Sequence, residues 1–435
     1  MKLTQLNMVS WIFYVQLVAM SFVASVLVIN GCADYDYAIR SVGEDAKFYG
    51  WLSVQYTMIA MPLGMLLINY LQGRKSNSRL FFSYVNLPVT ALMSPKDTLI
   101  KYPLYLLSVL AIASVIYTLI SVKAIPIIGL LQGFDAFELA GLRVKAGREF
   151  EGNAFVRQYF GVTLTTILTY IAYAYWRLVK SREYLTWFLV MFVFSSVILT
   201  YDLSKGPFVS FLLGFLFLHV LIKGGIRKKT LLSFGMCVLI VIVAAYVFVM
   251  QVGDFSTLYP TIAQRIFLNQ AAGTYLSFEH FPSTHDFIGF ASLSKKLSFV
   301  LGMDVSESAA RIVMNEFNPA GVESGVLGVM NSLFIQEAWA NFGWIGVVIA
   351  PFYVGMFVQV LYVFFLRSSK TPIMLGVLTY FSYKLPITGE FNEFLFPRVL
   401  LFVLIVFVSV YFVALSLKHS CRNVHQRSRR SYGSA

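Results

Sequence analysis

The chain has 435 residues, of which 58% are hydrophobic and 13% charged, and its formal net charge is +13. A soluble domain carries about a quarter charged residues, so this balance, with a mean hydropathy of +0.72, excludes an ordinary water-soluble globule. It points to an all-α polytopic membrane protein, because backbone in lipid must satisfy its own hydrogen bonds and a helix does so within one segment.

Crossing a bilayer takes about 20 apolar residues per helix. Such runs predict about ten spans, near residues 8–30, 50–71, 102–124, 156–176, 184–201, 206–223, 230–252, 343–366, 372–388 and 396–417. The first run leads into "VINGC", which faintly resembles a lipoprotein cleavage site. The run is too long for a signal's apolar core, so a retained helix is expected. The apolar stretch 80–93, "LFFSYVNLPVTALM", is too short to cross and is expected to lie in the inner interface or dip in as a re-entrant piece. Cys32, Cys237 and Cys421 fall outside, within the seventh span and inside, so neither a disulfide framework nor a cysteine metal site is expected.

Loop charges set the orientation. With the N-terminus in the cytoplasm, the inner loops collect Arg74, Lys75, Arg79, Lys96, Lys101, Arg177, Lys180, Arg182, Lys223, Arg227, Lys228, Lys229, Arg367 and Lys370, and only Asp97 and Glu183 oppose them. This meets the positive-inside rule and predicts that both termini are cytoplasmic. The positive charge is therefore a topology signal, and no nucleic-acid partner is expected. The basic tail, 418–435, reads as a solvated topogenic segment that touches anionic membrane lipid at most.

Two outer segments are long, 125–157 and 253–342, and long loops in compact proteins are usually functional. In the first, "FDAFELAGLRVKAGREF" predicts a helix with Ala136, Leu139, Leu142, Ala146 and Phe150 near one face. Lys145 and Arg148 lie on the far side and Arg143 at the edge, with Arg157 just beyond. Taken alone, that pattern favours an interfacial helix whose basic groups snorkel to headgroups. The second segment carries Arg265, Glu279, His280, His285, Lys295, Lys296, Arg311, Glu323 and Glu337. Its "FP" followed by "FIGF" predicts a helix stop and a reversal.

Between the fifth and sixth spans stands "YDLSKGPFVSFLLG", 201–214. A lysine at the membrane wall is costly unless it pairs or lines a wet cavity. One reading is an Asp202–Lys205 ion pair. The other is a cation aimed at a phosphate, beside the free N–H groups of a helix start.

"LSKGPFVSFLLGFLFL", "RIFLNQAAGTYLSFEHFP" with "FIGFASL", "NSLFIQEAWANFGWIGVVIAP" and the outer "LRVKAGREFEGN" together resemble the bacterial oligosaccharide repeat-unit polymerases, the O-antigen and capsule polymerases. These share a superfamily with the O-antigen ligases. The resemblance implies one GT-C-like transmembrane polymerase domain over 1–435 in the bacterial inner membrane. It implies glycans carried on undecaprenyl pyrophosphate as substrates and an inverting glycosyl transfer with neither metal nor cofactor. A flippase and a chain-length regulator are the protein partners it implies. In the ligases a His-Asn pair has been proposed to supply the base; here the corresponding residues are Met330-Asn331, a departure.

The chemistry then selects residues. A departing pyrophosphate needs its charge neutralised, and Arg143, Arg148, Lys205 and Arg265 are the expected cations. Glu337, just before an apolar span and partly desolvated, is the expected general base, with His280 next. Three rivals stand beside this reading. "ADYDY" places Asp34 and Asp36 where another polyprenyl-linked glycosyltransferase would hold a divalent cation. An O-antigen ligase would use the same donor. A lipid-linked oligosaccharide flippase would be expected to show paired repeats and broken helices.

Overall fold

The computed structural model describes residues 2–3, 6–73, 76–90, 100–148, 150–250, 264–265, 267–293, 295–300, 302–323 and 328–431. Among them the chain is helical, apart from a two-residue antiparallel ribbon pairing Lys2–Leu3 with Ile226–Arg227. Among the described residues seven segments are long and apolar enough to cross a membrane: Met8–Ile29, Glu44–Leu71, Lys101–Ser121, Arg182–Thr200, Gly206–Lys223, Ile335–Arg367 and Asn392–Ser416. The chain is a multi-pass helical membrane protein.

The helices used below are α1 (Met8–Ile29), α2 (Glu44–Leu71), α3 (Asn77–Asn86), α4 (Lys101–Ser121), α5 (Ala136–Arg148), α6 (156–179), α7 (Arg182–Thr200), α8 (Lys205–Lys223), α9 (Lys228–Met250), α10 (Ala272–His280), α11 (Ala309–Phe317), α12 (Ile335–Arg367), α13 (Pro372–Lys384), α14 (Asn392–Leu395) and α15 (Arg398–Ser431).

Three of the ten expected spans are not among the seven. The fourth, 156–176, is helical as α6, π-wound over Val156–Leu164 and α-helical over Thr165–Val179, as the first span is π-wound over Ile12–Phe22. The seventh falls on α9. The ninth, 372–388, is only the 13 residues of α13, about 20 Å at 1.5 Å per residue, against a hydrocarbon core about 30 Å thick. It stops where Pro386 pushes Leu385 to extended geometry (φ −64°, ψ 128°). Within the short apolar stretch 80–93, α3 ends at Asn86 for the same reason, with Pro88 next but one. Its Phe81, Tyr84 and Val85 are buried in the bundle, and 91–93 lie outside the described residues.

α2 crosses α12 closely, through glycines. A Cβ on Gly64 would overlap the Phe352 carbonyl, and one on Gly355 would overlap that of Met61. Small residues let backbones approach, which is how membrane helices gain packing when lipid offers no hydrophobic drive between them. Gly376 of α13 sits in the same way against Ile171 of α6.

Contacts sort the described connections into two ends of the bundle. At one end the ribbon joins residues 2–3 to 226–227, Lys101 meets Glu183 at 3.4 Å, and Lys370 Nζ donates to the carbonyls of Val85 (2.7 Å) and Leu87 (2.8 Å). Lys370 is only 2% exposed, and burial lowers its pKa to about 8. It caps carbonyls that the end of α3 leaves without helical partners. At the other end Gly43 N–H meets Glu279 (3.0 Å), Ile127 N–H meets the Tyr201 carbonyl (3.4 Å), and Phe334 N–H meets the Ile387 carbonyl (2.9 Å). Every residue expected to act on substrate belongs to segments that gather at this second end.

Candidate functional site

The start of α12 is not part of a straight helix. Gly343 has φ +57° and ψ −142°, a conformation open to glycine and strained for other residues. The break frees carbonyls just before it, and the loop after α10 takes them: Ile288 N–H donates to Ala340 and Gly289 N–H to Asn341, both at 2.9 Å. The segment 335–342 is thereby fixed as a buried shelf. A Cβ at 343 would press on the Phe287 ring at 3.0 Å.

Glu337 lies on that shelf, 3% exposed. Its Oε2 accepts the backbone N–H of Asn392 (2.8 Å) and its Oε1 accepts Asn392 Nδ2 (2.9 Å). Asn392 Nδ2 also reaches Ser292 Oγ (3.0 Å), Asn341 Nδ2 donates to Asn392 Oδ1 (3.0 Å), and Ser292 Oγ donates to Asn341 Oδ1 (3.4 Å). The carboxylate is thus fully buried and closed into a ring of amide and hydroxyl groups from three separate chain segments, where partial desolvation was expected. Two accepted hydrogen bonds, one to each oxygen, fix the orientation of the carboxylate.

Asn392 is followed by Glu393, which lines a cavity of about 230 Å³ shared with Gln158, Tyr380, Lys384, Pro397 and Leu400. Glu393 accepts Arg398 Nε at 3.0 Å and also Arg398 Nη2. Glu390 stands nearby, its carboxyl pushed above the usual range by burial and then by the charge of Glu393.

Of the expected basic residues, Arg143 reaches the tip of the α7–α8 connection. Arg143 Nε donates to the Asp202 carbonyl at 3.2 Å. Arg157 Nη1 donates to the Ala146 carbonyl (3.4 Å), and its guanidinium lies 4.3 Å from the centre of the Phe150 ring. The expected helix over 134–150 is present as α5, with Leu139 and Ala146 buried, and it docks on this tip. Asp202 spends its carboxylate locally, accepting Ser204 N–H (3.0 Å) and Ser204 Oγ (2.8 Å). Arg148 closes α5 and Lys205 opens α8; their side chains lie outside the described set. Arg265 is exposed. Its neighbour Gln264 reaches Asp36 at 3.5 Å, and no described contact joins Arg265 to Arg143.

Asp36 is 2% exposed and its Oδ1 accepts the N–H groups of Ala38 (2.9 Å) and Ile39 (3.2 Å). It shapes a turn, whereas Asp34 is exposed. Among the described residues no three His, Cys, Asp or Glu side chains are placed to hold a metal ion.

His280 ends α10, half-buried, its Nδ1 3.3 Å from Thr284 Oγ1, and burial lowers its pKa. His285 instead pairs with Glu316 at 2.8 Å. Trp339 Nε1 donates to the carbonyls of Ser277 (3.1 Å) and Phe281 (3.2 Å). Residues two apart on a helix point to nearly opposite sides, so Trp339 faces α10 while Glu337 faces α14. The two expected bases are therefore not brought into one site. At the departure from the ligase pattern, Met330 is buried and Asn331 gives its carbonyl to Gly273 N–H (3.0 Å).

Sequence reasoning missed Ser292, Asn341, Asn392, Lys384, Glu390, Glu393 and Arg398. The signal was "KLPITGEFNEFLFPR", 384–398, which places four charged groups between apolar runs, the same mark that drew attention to Asp202 and Lys205.

Comparison of the chain with protein-family models, with curated proteins and with solved structures finds no significant match.

Proposed function

We propose that this protein is an inverting glycosyltransferase that polymerises oligosaccharide repeat units carried on undecaprenyl pyrophosphate, at the outer face of a bacterial inner membrane. One observation carries the reading. At a single end of a membrane bundle, a buried hydrogen-bonded carboxylate adjoins a cavity that carries Gln158, Lys384 and Glu393, and Arg143 reaches the tip between α7 and α8. The acceptor sugar hydroxyl attacks the anomeric carbon of the donor glycan. The bond from that carbon to phosphate oxygen breaks, and the lipid pyrophosphate leaves with the electron pair. Glu337 takes the hydroxyl proton. Arg143, Arg148, Lys205 and Arg265 neutralise the leaving charge. The order and spacing of the motifs favour this over a ligase, since Met330 stands where a histidine would.

Ten spans, with both termini cytoplasmic, belong to the same proposal and rest on the asymmetry of loop charge. A membrane-impermeant thiol reagent applied to intact spheroplasts should label Lys295→Cys and spare Lys228→Cys; the reverse pattern inverts the topology. For the activity, deletion in the native host followed by a gel of surface polysaccharide is decisive. The expected result is loss of long chains with one-unit material retained. Loss of all surface glycan would instead indicate a flippase or a ligase.

A further inference from the structure

Lys384 is the last residue of α13. Its side chain lines the cavity beside α14 and keeps a substantial accessible surface. No described residue gives it a hydrogen bond or an ion pair. The nearest carboxylate of the lining, Glu393, is already committed to Arg398. Apart from Gln158, Tyr380 and Glu393 the wall is apolar, with Phe357, Phe381 and Phe394 prominent. An ammonium in such surroundings is costly unless a partner supplies negative charge. The end of α13 offsets part of that cost through its dipole, but it satisfies no N–H of the ammonium. At about 230 Å³ the cavity exceeds by several times the roughly 30 Å³ share of one water. It has room for a phosphate group, with an amide donor at hand from Gln158; the Tyr380 hydroxyl is shared with Thr163 Oγ1 at 3.3 Å.

We propose that this cavity binds a phosphate group and that Lys384 supplies the charge that holds it. The inference rests on the proposed function only in choosing a prenyl chain as the carrier of that phosphate. The same chemistry would take free pyrophosphate, and the test separates the two.

The full-length protein in detergent is titrated with a long-chain prenyl monophosphate, the matching prenol and inorganic pyrophosphate, and bound species are read by native mass spectrometry. The expected result is that prenyl phosphate is retained and prenol far less. Lys384→Met should weaken prenyl phosphate binding about ten- to a hundredfold, the range for losing a charge-assisted hydrogen bond, and leave prenol unchanged. Lys384→Arg should keep most of the affinity. If pyrophosphate binds with the same dependence on Lys384 and the prenyl chain adds nothing, the occupant is the free anion. Should Lys384→Met fail to accumulate, Leu400→Trp narrows the cavity without touching the charge and should cost prenyl phosphate binding. Wild-type binding by either folded variant overturns the inference. Lys384-dependent binding by a protein that polymerises nothing leaves the cavity assigned and removes the polymerase reading alone.

Discussion

Glu337→Gln is expected to abolish chain elongation while leaving a folded protein in the membrane. Removing a general base costs about a hundred- to ten-thousandfold in rate. The substitution also has a structural cost that is readable from the ring. Both oxygens of Glu337 accept donors of Asn392, its backbone N–H and its Nδ2. A glutamine turns one acceptor into a donor facing a donor, at about 1–3 kcal/mol. Thermal stability in detergent should therefore fall modestly, and polymer length should collapse far more than that fall explains. Asn341→Ala supplies the contrast. It removes the Asn341 to Asn392 bond without touching the carboxylate, so its stability loss should be similar and its activity loss small. If Glu337→Gln elongates at the wild-type rate, Glu337 holds α14 in place and does nothing else.

Lys205→Ala should cost about a hundredfold in rate or more, the loss typical of deleting one charge-stabilising donor at a leaving group. Lys205→Arg should keep part of the activity, since the charge stays and the geometry changes. The competing account is a structural Asp202–Lys205 ion pair. It predicts that Lys205→Ala strands Asp202 and that adding Asp202→Asn restores both expression and polymer length. The Asp202 carboxylate is, however, taken up by Ser204 N–H and Oγ, a local turn that needs no lysine. An asparagine can still accept from Ser204 N–H, so Asp202→Asn alone should be mild. A normally polymerising Asp202→Asn, Lys205→Ala double variant at normal expression would defeat the phosphate role of Lys205.

What the sequence could carry follows from the range over which its signals act. Apolar length and loop charge are local sums, and seven of the ten expected spans coincide with helices long and apolar enough to cross. The helix over 134–150 was legible because its apolar spacing is internal to the segment. The shortness of α13 was less so: hydropathy carries through Leu385, and the stop depends on one proline. The site was harder still. Glu337 could be picked out as an acid beside a span, but its ring is built from Ser292, Asn341 and Asn392, whose meeting depends on the Gly343 break and on how α14 docks. His280 stood next to Glu337 in the sequence reading, as a second candidate base. Only the packing of Trp339 against the end of α10 separates them.

The central claim is that this chain by itself joins lipid-linked repeat units. The protein is purified, placed in bilayer nanodiscs and given undecaprenyl-pyrophosphate-linked repeat units in the presence of EDTA. The account predicts a ladder of glycans of increasing length on the lipid carrier, with one undecaprenyl pyrophosphate released for each unit added. Repeat units left unchanged by folded protein, or a ladder that forms only after magnesium or manganese is restored, would contradict it.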